Sequence, residues 1–268
     1  MTIACLGDLL LDVIVRMNTA APNDSETPAE TRVGAGGQAA NVAAWAAELG
    51  ASARFVGKVG GDPAGEVALG ELERRGVEVV GPRAAGRNGV VVSLVGEDGK
   101  RTMLSDRGVA PDLRAEELEM SWFRGVGHLH LSGYSLLRNP IAEAAAKAAG
   151  AVGAQGGSVS VDLSSAAGVR AFGPEQLLRR LELLAPSVVF ANEEELEALR
   201  SSPPAATVVV KRGPAGFSVG DEDVPAAAVD VVDTTGAGDA LAAGFLVGGP
   251  ELAREAAARC VAQLGAMP

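Results

Sequence analysis

The sequence predicts an α/β protein with one mostly parallel β-sheet and a second, smaller sheet beside it. Short runs rich in Val, Ile and Leu alternate with longer alanine-rich segments bounded by glycine, the pattern of strands and helices that follow each other around a parallel sheet. Two stretches break this alternation, because strand-like runs follow each other there without a helix. We expect the 268 residues to form a single domain, residues 1–268, with a small appendage.

The elements of the core follow from these runs. The apolar runs predict strands at 3–7, 53–57, 126–131, 158–162, 187–190 and 207–211. The alanine-rich segments predict helices at 38–49, 64–75, 140–149, 174–183, 192–200, 236–247 and 250–263. Gly50 and Gly76 follow helix ends, and Asn192 stands where a helix N-cap would stand, so these helices carry their own start and stop signals.

The two irregular stretches predict the smaller sheet. Its strand-like runs lie at 10–17, 30–33, 89–95 and 101–105. The EDGK sequence at 97–100 is a turn signal of a β-hairpin. We expect a small antiparallel sheet, discontinuous in sequence (about 10–33 and 88–106), that covers a cleft of the core as a lid. Its exposed edge favours a homodimer through the lid.

Composition excludes several classes of function. Acidic residues outnumber basic ones 34 to 23, a net charge of −11, so we expect neither nucleic acid nor an anionic membrane as a partner. A phosphate ligand would need locally placed donors. Cys5 and Cys260 have no spacing typical of a metal site or a disulfide framework. Without a cationic leader or about 18 uncharged apolar residues in a row, the sequence favours a soluble cytoplasmic protein.

The sequence DTTGAGDA at 233–240 predicts an anion-binding site. If a helix starts near Gly236, the N–H groups of Gly236, Ala237 and Gly238 are its unpaired first donors and lie at the positive end of the helix dipole. Small side chains leave room for a phosphoryl group to approach the backbone.

Asp239 follows those three residues and lies beside the expected anion. A carboxylate there would repel phosphate unless it had a separate task, and accepting the proton of a hydroxyl that attacks a γ-phosphoryl group is such a task. This role needs no raised pKa, because the base must be ionised. The alternative is an ordinary strand-to-helix turn with an acid in the first turn, and GAGD alone does not decide between the two.

A second glycine cluster offers a competing interpretation. Gly34, Gly36 and Ala39 fit the G-x-G-x-x-A fingerprint of dinucleotide-binding proteins. That fingerprint should follow the first strand directly and precede an acid by about 20 residues. Here the cluster follows a polar stretch at 21–30, and residues 55–58 read FVGK. This context disfavours a dinucleotide oxidoreductase. A G-x-x-x-x-G-K-[ST] loop is also missing, which disfavours the P-loop nucleoside triphosphatases.

Four motifs together carry a family resemblance. They are GAGGQAANVA at 34–43, VGKVGGDPAGE at 56–66, ANEEE at 191–195 and DTTGAGDALAAGFL at 233–246. In this order and spacing the chain resembles the ribokinase-like, or PfkB, carbohydrate kinases over nearly its whole length. The resemblance implies a ribokinase-like three-layer α/β sandwich with a β-sheet lid. It also implies an ATP-dependent sugar kinase that uses Mg²⁺ and a small carbohydrate as acceptor.

The resemblance also implies roles for individual residues. Asp239 would be the general base, and the amides of Gly236, Ala237 and Gly238 would form the anion hole. The acceptor hydroxyls would be bound by Asp12, Gly36, Gly37 and Asn41. The nucleotide and its hydrated Mg²⁺ would be bound by Asn192, Glu195 (Mg²⁺, through water), Lys211, Gly213 and Gly238. Asp233 and the Thr235 backbone resemble the cation ligands of potassium-dependent relatives.

Several of these residues have a structural alternative. Asn192 with Glu195 also makes a good N-cap with an acid at N3, and both roles are compatible. Asp12 is also an acid near a strand end. Lys211 with Arg212 is as readily a solvated basic pair.

Other residues carry weaker signals. His128 and His130 alternate on one strand, where a packed face is the simplest interpretation and metal binding has little support. Trp45 is most simply part of the core. Arg101 and Arg107 flank the end of the lid hairpin, where a basic residue meets an acidic or phosphorylated sugar in some relatives.

Two questions stay open in the sequence. Only 29 residues follow Asp239, so Gly265 and Ala266 would form the last loop near the adenine and the cation, and the completeness of the adenine pocket is undecided. The acceptor sugar and its reacting hydroxyl are not identified. The alternatives are a nucleoside or other non-sugar kinase of the same fold, or a non-catalytic sugar- or nucleotide-binding protein on this scaffold.

Overall fold

A computed structural model gives the fold of residues 1–17, 26–96 and 101–268. The expected hairpin turn at 97–100 and part of the polar stretch at 21–30 lie outside these described residues.

The described residues form fifteen strands and eight α-helices. The strands are β1 (Thr2–Leu6), β2 (Leu10–Met17), β3 (Ala29–Gly36), β4 (Ser52–Val56), β5 (Val59–Gly60), β6 (Glu78–Val80), β7 (Arg83–Ala84), β8 (Asn88–Val95), β9 (Arg101–Gly108), β10 (Val126–Ser132), β11 (Ser158–Asp162), β12 (Val188–Asn192), β13 (Thr207–Lys211), β14 (Phe217–Val219) and β15 (Glu222–Val224). The helices are α1 (Gln38–Glu48), α2 (Pro63–Arg74), α3 (Ile141–Gly153), α4 (Ala166–Phe172), α5 (Pro174–Leu184), α6 (Glu193–Leu199), α7 (Ala237–Gly248) and α8 (Pro250–Val261).

Nine strands make the central sheet, in the order β15-β14-β13-β12-β11-β10-β1-β4-β6. All neighbours from β13 to β6 are parallel, while β14 and β15 add an antiparallel end. The α/β prediction with a mostly parallel sheet is therefore confirmed. Each of the six core strands expected from the sequence is present within about two residues of its expected bounds.

Helices cover both faces of this sheet, which makes three layers. Ile3 and Cys5 of β1 belong to an apolar cluster with Trp45 and with buried residues of α2, α7 and α8. Ala4 and Leu6 belong to a second cluster, with buried residues of α3, α4, α5 and α6. Successive side chains of a strand point to opposite faces, so one short run supplies both clusters.

The smaller sheet contains four strands in the order β3-β2-β8-β9. β2 pairs antiparallel with β3, and β8 pairs antiparallel with β9, as expected of two hairpins. The expectation of a purely antiparallel sheet is wrong, however, because β2 and β8 are parallel, with Leu10 beside Gly89 and Arg16 beside Val95. The chain enters the two hairpins through β2 and β8, and these two strands lie side by side in the middle of the small sheet. This sheet carries Asp12 on β2 and delivers the chain through Gly36 into α1.

Candidate active site

The start of helix α7 is built around Gly236. This residue is the N-cap of α7 and has a φ of +78°, in the left-handed region that favours glycine. A Cβ on Gly236 would lie 2.5 Å from the Cβ of Ala266. Conformation and space therefore both require glycine where the sequence predicts that the helix begins.

Two of the three expected anion-binding amides are unoccupied. In residues 1–17, 26–96 and 101–268, the N–H groups of Gly236 and Gly238 donate to no other protein atom, while that of Ala237 makes only a long bond of 3.4 Å to the carbonyl of Thr234. These N–H groups lie at the positive end of a helix of 12 residues. An anion placed there would bind donors that have no other acceptor among the described residues.

Asp239 lies one residue further into α7, and Asn41 of α1 holds its carboxylate. Asn41 Nδ2 donates to Asp239 Oδ2 at 2.7 Å. Burial raises the pKa of Asp239 to about 7, opposed by the Asn41 hydrogen bond and Lys211 and assisted by Asp162 and Asp12. From the sequence, we expect a general base with no need of a raised pKa. In the structure the pKa of Asp239 is raised nonetheless, because the effect of burial outweighs those of Asn41 and Lys211.

The residues expected at the acceptor site meet where β2, β3 and α1 join. A Cβ on Gly36 would lie 2.1 Å from Asp12 Oδ2, so the carboxylate occupies the space that this glycine leaves. Gly37 has a φ of +98°, and its Cβ would lie 2.4 Å from the carbonyl oxygen of Asp8. Asn41 is only 5% exposed, and its Oδ1 has no partner among the described residues. Burial, and secondarily Glu71, raises the pKa of Asp12 to about 6.

Glu71 of α2 is a supporting residue that the sequence did not indicate. Its Oε2 accepts a hydrogen bond of 2.6 Å from the N–H of Ala35, and its Oε1 accepts one of 2.9 Å from Arg75 Nη2. It thus fixes the backbone of the glycine run beside Asp12. Nothing in its helix sequence marks it, because exposed helices commonly carry Glu–Arg pairs at this spacing.

Asn192 and Glu195 form a capping box at the start of α6. Asn192 Oδ1 accepts from the Glu195 N–H at 2.8 Å, and Glu195 Oε2 accepts from the Asn192 N–H at 2.9 Å. The N-cap interpretation is therefore confirmed. Glu195 is 4% exposed, and burial raises the pKa of its carboxyl. Its compatible role in positioning Mg²⁺ stays a prediction.

Lys211, at the end of β13, forms a buried ion pair. Its Nζ lies 2.6 Å from Oδ2 of Asp162, the last residue of β11. The interpretation of residues 211 and 212 as a solvated pair is thus wrong for Lys211, whose side chain is 16% exposed. Arg212 instead pairs at the surface with Asp223, at 2.6 Å. Asp162 was not singled out in the sequence, although acids at the carboxyl ends of parallel strands commonly lie near ligands.

An apolar cavity of about 430 Å³ opens beside the amides of α7. It is lined by residues of the β13–β14 turn, the 226–231 segment, α7 and α8, among them Lys211, Gly213, Gly216, Gly238, Leu241 and Val261. Its volume lies within the roughly 300–1,000 Å³ of small-molecule sites. The expected nucleotide contacts Lys211, Gly213 and Gly238 therefore share one cavity.

The last loop of the chain packs against the start of α7. Asp233 is buried, and its two carboxylate oxygens accept from the N–H groups of Thr235, at 2.6 Å, and Gly265, at 3.0 Å. Trp45 is buried in the core as expected, and its Nε1 donates to the carbonyl of Ala266 at 2.8 Å. The expectation that Gly265 and Ala266 approach this site is met in the described structure.

The two histidines of β10 are packed inside the sheet. His128 Nε2 and His130 Nδ1 both contact Ser160 Oγ, at 2.7 and 2.9 Å. Burial lowers the pKa of His128 to about 4 and that of His130 to about 3. Among the described residues, no group of three or more His, Cys, Asp or Glu side chains is arranged to hold a metal ion.

Arg107 joins the small sheet to the core. Its Nε and Nη2 contact the two carboxylate oxygens of Asp8, the second at 2.9 Å, and its guanidinium lies 5.6 Å from the centre of the Tyr134 ring. A contact of Arg107 with an acidic acceptor stays a prediction. The side chain of Arg101 lies outside the described part of the structure.

Three features meet at this site: helix-start amides with no acceptor among the described residues, the Asp239 carboxylate bound by Asn41, and an adjoining apolar cavity. Together they are the features expected of a phosphotransferase. The chain matches the model of the pfkB family carbohydrate kinases over residues 2–267. It belongs to that family and is a sugar kinase with an alcohol group as acceptor. Its fold is the ribokinase-like three-layer sandwich implied by the motifs.

Individual relatives support this assignment. The chain is 36% identical over 255 residues to an ATP-dependent ribose-1-phosphate kinase from Halopiger xanaduensis, covering 90% of this chain and 82% of that protein. The structure of adenosine kinase from Sinorhizobium meliloti is similar, with a TM-score of 0.87 and 26% identity, covering 100% of this chain and 95% of the other. An uncharacterized sugar kinase from Pyrococcus horikoshii, solved in complex with ATP, gives a TM-score of 0.83 and 26% identity over 99% and 95% of the two chains.

None of the helices in the described ranges combines the length and the apolar character needed to cross a bilayer.

Proposed function

We propose that this protein is an ATP-dependent sugar kinase in which Asp239 is the general base. The observation that carries the proposal is the Asp239 carboxylate, held 2.7 Å from Asn41 Nδ2 and preceded by the amides of Gly236 and Gly238, which have no acceptor among the described residues. The ATP-dependent relative and the ATP-bound structural neighbour support the choice of donor.

In this proposal the acceptor binds between the small sheet and α1. Asp12 accepts hydrogen bonds from sugar hydroxyls, and Gly36 and Gly37 provide the turn without side chains that holds this carboxylate beside the ring. Asn41 Oδ1, which is buried and has no partner among the described residues, provides a further acceptor. Asp239 takes the proton of the reacting hydroxyl as that oxygen attacks the γ-phosphoryl group in line. The small sheet closes over the site as a lid and keeps water from competing with the sugar.

The donor occupies the cavity beside α7. The apolar cavity of about 430 Å³ takes the nucleoside, Lys211 and Gly213 line its phosphate end, and the amides of residues 236–238 stabilise the charge that develops on the transferred group.

Glu195, with Asn192, would hold Mg²⁺ through water. A buried carboxylate whose pKa is raised by burial fits a hydrated cation, because the cation offsets the cost of its charge. When bound, the ion would neutralise charge on the phosphates. Asp233 is the candidate ligand for a monovalent cation such as K⁺, and equal rates with K⁺ and with a bulky organic cation would exclude that role.

The decisive variant is Asp239→Asn. We expect kcat to fall by about 10² to 10⁴ without loss of fold, since general-base catalysis contributes that much. Asp221→Asn is the matched control, because Asp221 is an exposed carboxylate in the turn between β14 and β15. Near-normal turnover in Asp239→Asn would remove Asp239 as the base.

The acceptor is identified by a coupled ADP assay with pentoses, hexoses, sugar acids, sugar phosphates and nucleosides. The similarity to an adenosine kinase structure makes nucleosides the second candidate class. ADP formation stimulated only by nucleosides would replace the sugar kinase proposal with a nucleoside kinase. Tight ligand binding without turnover for any acceptor would favour a non-catalytic binding protein.

A further inference from the structure

The ion pair between Asp162 and Lys211 is buried beneath the proposed phosphate site. Asp162 is 1% exposed, and its Oδ2 lies 2.6 Å from Lys211 Nζ. Its other oxygen, Oδ1, accepts a hydrogen bond of 2.9 Å from the N–H of Ser164. Both carboxylate oxygens are thus engaged, which fixes the orientation of the carboxylate.

Lys211 faces the anion-binding amides as well as Asp162. Its Nζ lies 3.4 Å from the position that a Cβ on Gly238 would take, and the side chain lines the cavity beside α7. An ammonium group has three donors, and the described hydrogen bond to Asp162 occupies one of them. The ammonium group lies close to Gly238, whose N–H group has no acceptor among the described residues.

We infer that Asp162 is a positioning residue for the phosphoryl-transfer site: it holds the Lys211 ammonium charged and directed at the phosphate beside Gly238. This inference rests on the proposed function.

Two physical effects make such a partner necessary. The lysine side chain is flexible and loses rotamer entropy when it is fixed, so an ammonium group without a partner would not stay beside one amide. Burial alone would lower the pKa of Lys211, whereas Asp162 and Glu195 reverse that effect and leave its pKa raised. The lysine therefore reaches the anion site as a cation.

Asp162 also cannot replace Lys211 at the phosphate. A lone carboxylate under the anion site would repel the phosphates, and the lysine separates the two. Asp162 thus acts on ATP binding through Lys211, whereas its effect on the pKa of Asp239 concerns turnover, so ATP affinity measures the dependence.

The test is a double-mutant cycle on ATP binding and turnover. Wild type, Asp162→Asn, Lys211→Met and the double variant are compared by the Kd of ATP without acceptor, measured calorimetrically, and by KM for ATP and kcat. We expect each single variant to lose about 10- to 100-fold in ATP affinity or kcat/KM, the range for a hydrogen bond to a charged group. The double variant should be no worse than Lys211→Met alone.

Arg212→Met is the matched control, because this neighbouring cation pairs at the surface with Asp223 and Glu193 and should leave ATP affinity unchanged. Losses that add in the double variant would overturn the inference, since Asp162 would then act by another route. If Asp162→Asn does not fold, Asp162→Glu completes the same cycle, because it keeps the charge and displaces it by one methylene. If the wild-type protein turns over none of the acceptors, the proposed function is wrong. The double-mutant cycle on the Kd of ATP would still test the inference, because it needs no acceptor.

Discussion

The residues around Asp239 have opposing effects on the pKa of its carboxyl group. Burial, Asp162 and Asp12 favour its protonated form, while the Asn41 hydrogen bond and Lys211 favour the carboxylate. The resulting pKa of about 7 is high for an aspartate but suits a general base, which works best when its pKa is near the working pH.

This balance predicts the pH dependence of catalysis. The base must be ionised, so kcat/KM should fall about tenfold per unit as the pH drops below the pKa of Asp239, which is about 7. Because the Asn41 hydrogen bond lowers that pKa, Asn41→Ala should move the acid limb to higher pH. Initial rates from pH 5 to 9 check this. If the acid limb of the pH profile is the same in Asn41→Ala as in wild type, the hydrogen bond from Asn41 does not lower the pKa of Asp239.

The same balance predicts a stability effect. A carboxyl group whose pKa is higher in the folded than in the unfolded state destabilises the folded state when it is ionised. The destabilisation is complete above the folded-state pKa and absent below the unfolded-state pKa of about 4. Asp239→Asn removes the cost, so the variant should be more stable than wild type at pH 8, by at most about 4 kcal/mol for a shift of about three units, and similar to it at pH 4. Denaturant unfolding at both pH values measures the difference. Equal stability at pH 8 would contradict the raised pKa.

Asp239 and the glycines before it were indicated by the local sequence, because a helix start leaves its first N–H groups unpaired. Asn41 was indicated only by its place in the GAGGQAANVA motif. Asp162 and Glu71 were missed because their partners, Lys211 and Ala35, lie 49 and 36 residues away. Only the packed fold shows such partners.

Among the elements, the turn from β3 into α1 shapes the proposed acceptor site. Gly36 leaves space for the Asp12 carboxylate, and Gly37 adopts a positive φ against the Asp8 carbonyl. A turn without side chains therefore lets a strand of the small sheet and a core helix meet around one carboxylate.

Gly36→Ala tests this turn. The added Cβ would lie 2.1 Å from Asp12 Oδ2, so the carboxylate must move, and KM for the acceptor should rise about tenfold or more, as expected for a displaced charged hydrogen-bond partner. KM for ATP should change little. Gly150→Ala is the control, because its Cβ would meet open space in α3 and should add about 0.5–1 kcal/mol of stability. Unchanged acceptor KM in Gly36→Ala would exclude Asp12 from acceptor binding.

The elements found by sequence were the long and strongly patterned ones. β6, β14 and β15 have three residues each, too few for a periodic pattern to show. α4 has seven residues with a glycine inside it, which reads as a loop. The parallel pairing of β2 with β8 depends on which strands of two distant hairpins become neighbours, and hairpin signals report only local pairing.

At the scale of the whole molecule, the fold and family were predictable because the four motifs occur in order along the chain. The oligomeric state was not, because it depends on surface side chains. The outer strands of the small sheet, β3 and β9, expose Val33 (53%), Met103 (58%) and Leu104 (56%). Unpaired strand edges with apolar side chains favour association.

We expect the protein to form a homodimer through this sheet, and sedimentation velocity measures the mass. Leu104→Glu should shift the population toward monomer, because it places a charge in the apolar contact. Leu183→Glu is the control, since Leu183 is 87% exposed on α5, outside the small sheet. A monomeric wild type, or equal dissociation of both variants, would contradict assembly through the lid.

Arg32 of β3 donates from Nη1 to the carbonyl of Leu264 at 2.5 Å, and the next residue, Gly265, donates to Asp233 at the approach to α7. The small sheet is thus joined by a hydrogen bond to the loop that packs against the start of α7. Movement of this sheet must either carry that loop with it or break the hydrogen bond. In the proposed function, opening of the sheet for the acceptor would therefore also displace the loop beside the donor site.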